Sequence, residues 1–354
     1  MSSAAPQLAS DAAWSKPGPD TGFLAVRELL CCPVDGAPLA WDASTGRLVG
    51  ARACHSFPVE AGIPQLFAPN EWPAGRTDVT DLVKEFYEET PFPNYDGLDT
   101  RESLRRKARD GVFARLLDAQ IPHDATMLEV GCGTGQLSNF LAMGWGRTVI
   151  GADLCMNSLK LAKGFRDRFS INNAHFVQIN LFRPPFPAQA FDVVLSNGVL
   201  HHTSDCAGAF ASIARLVKPG GFIVIGLYNW LARLPTLWRR WLIERLGSVG
   251  ALLDPRMRGK GEAVRREAWF MDQYKHPHET KHSIGEVLGW FDAAGFDFMS
   301  SVPTIGDVEF SEETRLFEPH SPRRLLDRLS TEIEMLLSGG TDGGLYIMIG
   351  RKRT

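Results

Sequence analysis

The stretch Leu128-Glu129-Val130-Gly131-Cys132-Gly133-Thr134-Gly135 decides the fold of this chain. It closes the apolar run Thr126–Gly131 and leads into helical periodicity from Gln136. Three glycines therefore stand where a strand turns sharply into a helix. Glycine accepts positive φ there, and a ligand can approach its backbone without meeting a Cβ.

Taken alone, the loop also reads as a tight turn with no ligand. The next strand, TVIGAD, ends at Asp153, eighteen positions beyond Gly135, where a carboxylate can accept hydrogen bonds from two ribose hydroxyls. A NAD site shares that spacing, but its loop reads GxGxxG and its pyrophosphate needs a free helix N-terminus. Here Glu129 stands two places before the first glycine. It is a negative partner suited to a cofactor that ends in an amino-acid moiety and a sulfonium.

Outward from the loop, elements alternate: strand 126–131, helix from Gln136, strand 148–153, helix from Met156, strands 175–180 and 191–196, helix from Asp205, strand 221–228. Such alternation predicts an α/β architecture, a parallel sheet with helices on both faces. Ligands of such sheets lie beyond the carboxyl ends of the strands.

At these motifs the sequence resembles the class I S-adenosylmethionine-dependent methyltransferases, over about residues 105–228 and more weakly to the C-terminus. LEVGCGTG is similar to their first motif and GADLCMNSLKLAK to the second; FVQINLFRPPFPAQAFDVVLSNGVLHHTSD and IARLVKPGGFIVIGLYN follow in order. The resemblance implies a Rossmann-like seven-stranded methyltransferase sheet, an enzyme, and S-adenosyl-L-methionine as cofactor. It implies a cofactor site built from Glu129, Gly131, Cys132, Gly133 and Gly135, with Asp153 holding the ribose and Leu154 beside it. Asn180 and Leu181 fall beside the adenine, where many members carry Asp; Asn180 also reads as the cap of a turn. Ser196, Asn197 and Gly198 fall beneath the sulfonium.

Methyl transfer from a sulfonium is an in-line displacement, in which the protein supplies proximity, alignment and exclusion of water. A base is needed only if the acceptor must first lose a proton. The candidates are His202, Tyr87, Tyr95, Tyr228 and His276, while the pair His201-His202 also reads as an ordering element of its loop. Cys132 and Cys155 read as small packing residues.

The flanks divide into a disordered tail (1–22), a small β-rich module (23–69), a linker with a helical lid segment (70–104) and the methyltransferase-like domain (105–354) with a helical insert at 229–282. In the module, CPVDGAPL and FPVEAGIPQLF resemble the zinc-ribbon-like domain of tRNA-methyltransferase activator proteins. Metal binding would need paired Cys or His knuckles. Asp35 replaces the second cysteine of the first knuckle, and the second offers only the adjacent Cys54 and His55. A metal-free module held by Leu39, Phe57, Val59, Ile63 and Leu66 is expected, with no metal ligand assigned.

Residues 228–282 carry eleven Lys/Arg against six Asp/Glu, a net of +5 within a chain of net −3. In the insert, Leu234, Leu237, Trp238, Trp241, Leu242 and Leu246 fall near helical spacing, with Arg233, Arg239, Arg240 and Arg245 left for the other face. This reads as a lid helix packed on the core with a solvated basic face. The same composition suits peripheral contact with a membrane through 229–246, or an acidic or lipid-like substrate. Gln273–His282, with three histidines and Glu279, reads as a solvated loop and helix cap. SPRRLLDRLSTEIEMLLSGG reads as an amphipathic helix and GGLYIMIGRKR as the last strand, which the resemblance implies is antiparallel and inserted into the sheet.

With 354 residues, 44% hydrophobic and 22% charged, a wholly disordered or collagen-like chain is excluded. The balance of 38 basic and 41 acidic residues gives no global reason to bind nucleic acid. No apolar run approaches the roughly 18–20 residues that span a bilayer, and the start lacks a secretory pattern, so a cytoplasmic protein with reduced cysteines is expected. The leading functional reading is a methyltransferase for a small-molecule or lipid-like acceptor. RNA methylation is the second reading, and a non-catalytic cofactor-binding scaffold or activator the third.

Overall fold

A computed structural model of the protein describes residues 22–51, 55–73, 75, 77–93, 95, 99–246, 267, 269–305, 310–338 and 341–354. The expected tail up to residue 21, Cys54 and insert residues 247–266 lie outside the described residues. The N-terminal part forms β1 (Leu39–Asp42), β2 (Arg47–Gly50), β3 (Ser56–Glu60) and β4 (Ile63–Leu66), followed by α1 (Thr80–Glu89), α2 (Arg101–Asp110) and α3 (Val112–Gln120). Next come β5 (Thr126–Val130), α4 (Gln136–Ala142), β6 (Thr148–Asp153), α5 (Met156–Arg168), β7 (Ala174–Ile179), β8 (Phe191–Asn197), α6 (Cys206–Ala214) and β9 (Val217–Tyr228). The chain ends with α7 (Leu234–Leu246), α8 (Ile284–Ala293), β10 (Phe296–Val302), α9 (Leu325–Leu337) and β11 (Leu345–Lys352).

The strands form one sheet in the order β1-β2-β3-β4-β7-β6-β5-β8-β9-β11-β10. Its centre, β7-β6-β5-β8-β9, is parallel, and β11 lies between β9 and β10, antiparallel to both. This seven-stranded part has the expected arrangement, with the final strand inserted. The full sheet is larger, with eleven strands, because the N-terminal module does not stand apart. Gln65 and Leu66 pair in parallel with Gln178 and Ile179, covering the edge that β7 would otherwise leave bare.

Neighbouring residues on a central strand point to opposite faces, and both faces are buried. Leu128, Ile150 and Val177 pack on one side with Phe210 and Phe291, and the module's Leu48, Phe57 and Leu66 join that same cluster. Met127, Val149 and Phe176 pack on the other side with Leu117, Phe140 and Leu159. Side chains cap the helices that frame the site: Asp205 accepts from Gly208 N–H at 2.9 Å at the start of α6. Glu88, at the end of α1, accepts from Met156 N–H at 2.9 Å and from Asn157 N–H at 3.3 Å, fastening α1 across the start of α5.

The insert helix departs from its expected orientation. In α7 the predicted core residues Leu234, Trp238 and Trp241 are exposed, whereas Arg233, expected on a solvated face, is fully buried with Thr236 and Ile243. Arg233 is drawn inward because buried partners engage all its donors, as described below.

Candidate active site

Sheet order makes β6, β5, β8 and β9 neighbours, so their carboxyl ends open together on one cavity of ≈ 440 Å³. The glycine loop after β5 is pinned to β6, since Gly131 N–H donates to the Ala152 carbonyl at 2.7 Å. Gly133 adopts φ +52°, and a Cβ there would lie 2.1 Å from the Phe92 carbonyl oxygen. The segment after α1 thus closes over the loop, with Thr134 Oγ1 donating to the Pro93 carbonyl. At Gly198, φ is +78° and a Cβ would meet nothing within 4 Å, so the backbone presents open space to the cavity.

Two acids face this end. Asp153 accepts from Gly133 N–H at 2.7 Å and from Cys155 N–H at 2.9 Å, and burial raises its carboxyl above the usual range. Glu129, buried, accepts from Ser138 Oγ, and burial pushes its carboxyl up to about 7. Two desolvated acids beside a glycine loop and a bare backbone patch fit a ligand with a ribose and cationic groups.

Asn180 lines the cavity while welding the module to the sheet. Its Nδ2 donates to the Ala68 carbonyl at 2.8 Å and to Asn70 Oδ1 at 2.7 Å, and its Oδ1 accepts from Phe182 N–H at 3.0 Å. Both amide protons are engaged, and the Oδ1 bond is the turn cap the sequence allowed for. Leu154, Leu181 and Asn197 also line the cavity, as does Cys132. Gly135 does not: its Cβ position faces Ala162 and Phe176. Ser196 instead ties β8 to β5, donating to the Val130 carbonyl at 3.0 Å.

Among the catalytic candidates, His202, Tyr87 and Tyr228 line the cavity; Tyr95 and His276 do not. Tyr95 stacks on Phe165, ring centroids 4.5 Å apart, with its hydroxyl accepting from Asn139 Nδ2 at 3.1 Å. His276 stacks on His202 at 3.6 Å between ring centroids, and its Nδ1 accepts from His278 N–H at 3.2 Å. The segment read as a solvated loop is in fact buried around His276, and its first residue, Gln273, lines the cavity together with Asp272.

Asp272 is not singled out by the sequence, and behind Gln273 the structure places a buried pair, Arg233 and Glu279. Arg233, which can only donate, gives Nη1–H to Gln273 Oε1 at 2.6 Å and Nη2–H to Glu279 at 2.7 Å. Gln273 therefore has its oxygen toward Arg233, and its Nε2 donates to Tyr228 Oη at 2.7 Å and to Asp272 Oδ2 at 2.8 Å. Tyr87 Oη donates to Asp272 Oδ1 at 2.9 Å. Because Tyr228 accepts from Gln273, its own proton remains to be donated. Burial raises the Tyr87, Tyr228 and Asp272 acids above their ordinary values, so both tyrosines are neutral donors.

His202 is oriented as well. Its Nδ1 lies 2.9 Å from the His278 carbonyl, an acceptor only, so Nδ1 carries the proton and Nε2 the lone pair. Burial pushes its pKa down to about 4, which keeps the ring neutral near pH 7. No proximity of a titratable residue to Asp272 in the sequence could have revealed this contact, because Tyr87 and Asp272 are 185 positions apart.

Residues 128–225 match the family model described as a methyltransferase domain. This segment is a methyltransferase domain, of the kind that uses S-adenosyl-L-methionine as its cofactor. The chain is 31% identical over 137 residues to a demethylmenaquinone methyltransferase of Bacillus licheniformis, covering 38% of this chain and 57% of that protein. It is 29% identical over 188 residues to a ubiquinone/menaquinone biosynthesis C-methyltransferase of Vibrio vulnificus, covering 51% and 68%. A solved complex of the Haloferax volcanii Trm112 methyltransferase activator with a putative methyltransferase is similar at 16% identity and a TM-score of 0.43, over 73% of this chain and 100% of that one. The chain spans about half the length of the first curated relatives it matches.

Proposed function

We propose that the protein transfers the methyl group of S-adenosylmethionine to a small-molecule or lipid-like acceptor. The observation that carries the proposal is a single cavity joining the glycine loop and Asp153 to the wall of His202, Tyr228 and Asp272. Bound there, the cofactor supplies an electrophilic methyl group on a sulfonium. Glu129 balances positive charge at its amino-acid end, Asp153 accepts from its ribose hydroxyls, and Gly198 leaves room at the reacting centre. Phe92 and Pro93, folded over the loop, keep water out.

On the acceptor side, His202 Nε2 takes the proton of the attacking group, with the His278 carbonyl holding the ring in the basic tautomer. Tyr228 donates to an acceptor oxygen and thereby fixes its approach. The cavity walls between these groups are apolar, including Val79, Val83, Phe92 and Leu345. Relatives named for quinone biosynthesis support a largely apolar acceptor with a few polar handles.

The test is methyl transfer from labelled S-adenosylmethionine into fractionated cell extract. Label is expected in an organic-soluble small molecule. Label in RNA would replace the acceptor class, and calorimetry without cofactor binding would overturn the reading as a whole.

A further inference from the structure

Helix α9 carries its apolar face outward. It buries Thr331, Glu332 and Met335, while Leu325, Leu326, Leu329, Ile333 and Leu337 are 40–78% exposed. At about 100° per residue these five side chains fall in one sector of about 120°, as wide as the stripe a helix ordinarily turns to its core. The orientation has a local cause. Glu332 accepts from Ile284 N–H at 2.7 Å, capping α8, and from Trp230 Nε1–H at 2.9 Å. Rotating the leucines inward would break both bonds. Helix α7 does the same on a smaller scale, exposing Leu234, Trp238 and Trp241, with the Arg245 guanidinium 4.3 Å over the Trp241 ring. Trp230, also exposed, joins the root of α7 to α9. Apolar surface gathered in this way marks an interaction site.

We infer that these two faces dock on an anionic phospholipid bilayer. Tryptophan and leucine beside arginine is the composition of a surface that lies at the headgroup boundary, with rings in the apolar layer and guanidinium groups among phosphates. Within α7, Arg239, Arg240 and Arg245 stand against the single acid Glu244, so this helix carries positive charge beside its exposed apolar face. Exposed Arg245 and Arg324 stand beside the two apolar faces. An anionic bilayer complements both features. A second copy of the chain does not, because a two-fold contact through α7 would set its arginines against themselves. Among the described residues no helix is long and apolar enough to cross a membrane. At the buried root of α7, Arg233 bonds to Gln273, which lines the cavity. The inference goes beyond methyl transfer and does not depend on it.

Co-sedimentation of the full chain with vesicles tests it, using phosphatidylcholine alone and phosphatidylcholine mixed with phosphatidylglycerol. Binding is expected to the mixed vesicles and to weaken as sodium chloride rises. A Leu326→Ser/Leu329→Ser/Ile333→Ser variant and a Trp238→Ser/Trp241→Ser variant should each bind on the order of tenfold more weakly. All substituted side chains are at least partly exposed, and unchanged S-adenosylmethionine affinity would show that each variant is folded. Absence of binding to mixed vesicles would overturn the inference, as would binding indifferent to both variants. A dimer seen by sedimentation velocity and abolished by the same substitutions would also overturn it, assigning the faces to a second copy. Vesicle binding requires neither acceptor nor turnover, so its failure is distinct from failure of the methyl-transfer reading.

Discussion

The guanidinium carbon of Arg233 lies 3.7 Å from the centre of the Tyr228 ring, and the two residues are joined again through Gln273. All five Arg233 N–H groups are engaged: by Glu279 twice, by the Gln273 side chain and carbonyl, and by the Gly343 carbonyl. A buried cation is tolerable only when paired and fully hydrogen-bonded. This one meets both conditions while setting which way Gln273 and Tyr228 donate.

Arg233→Met should therefore destabilise the protein by about 3–5 kcal/mol, because it leaves buried Glu279 without its hydrogen-bonded cation and with only Lys281, at 3.8 Å, as a counter-charge. Denaturant unfolding measures the loss. Adding Glu279→Gln should recover part of it; no recovery would mean that the pair is not the source of the cost.

The pH dependence of cofactor binding follows from Glu129. Burial places its carboxyl at about 7, so near neutrality the free protein is a mixture of protonated and ionised forms. A cationic ligand favours the ionised form, so binding should release a proton and affinity should rise from about pH 6 to pH 8. Calorimetry in two buffers of different ionisation enthalpy reads the proton directly. Glu129→Gln should remove the dependence.

Acid should unfold the protein through its histidines. Burial holds His202 at about 4 and His276 at about 3, against an ordinary 6.5 in the unfolded chain. Stability contributed by keeping them neutral is complete above 6.5. It is lost as pH falls toward 4 and then 3, since only the unfolded chain gains the protons. Melting temperature should fall across that window, and His276→Phe should flatten the fall.

His202 and Tyr95 should separate chemistry from packing. His202→Gln is expected to reduce kcat by roughly 10²–10⁴, the contribution of a general base, while leaving S-adenosylmethionine affinity within about twofold. Tyr95→Phe loses one hydrogen bond to Asn139 and should cost about 1 kcal/mol of stability with turnover unchanged. A large turnover defect in Tyr95→Phe would contradict its placement outside the cavity.

The sequence by itself determined the sheet around LEVGCGTG and the glycine-loop end of the cavity, because those residues lie within short loops at consecutive strand ends. Glu129, Gly133, Asp153 and Gly198 are legible one strand at a time. Periodicity could not fix the rest. Tertiary structure decided that β4 extends the sheet through Ile179, that Asn180 has both amide protons engaged by the module, and that Tyr95 packs on Phe165 outside the cavity. It also decided which way the amphipathic helices face. The apolar pattern of α9 predicts burial, yet the bonds of Glu332 to Ile284 and Trp230 turn that pattern outward. Arg233 likewise turns inward because Glu279 and Gln273, at least 40 positions away, meet it there. Helical spacing sets which residues share a face, but only partners distant in sequence set where that face points.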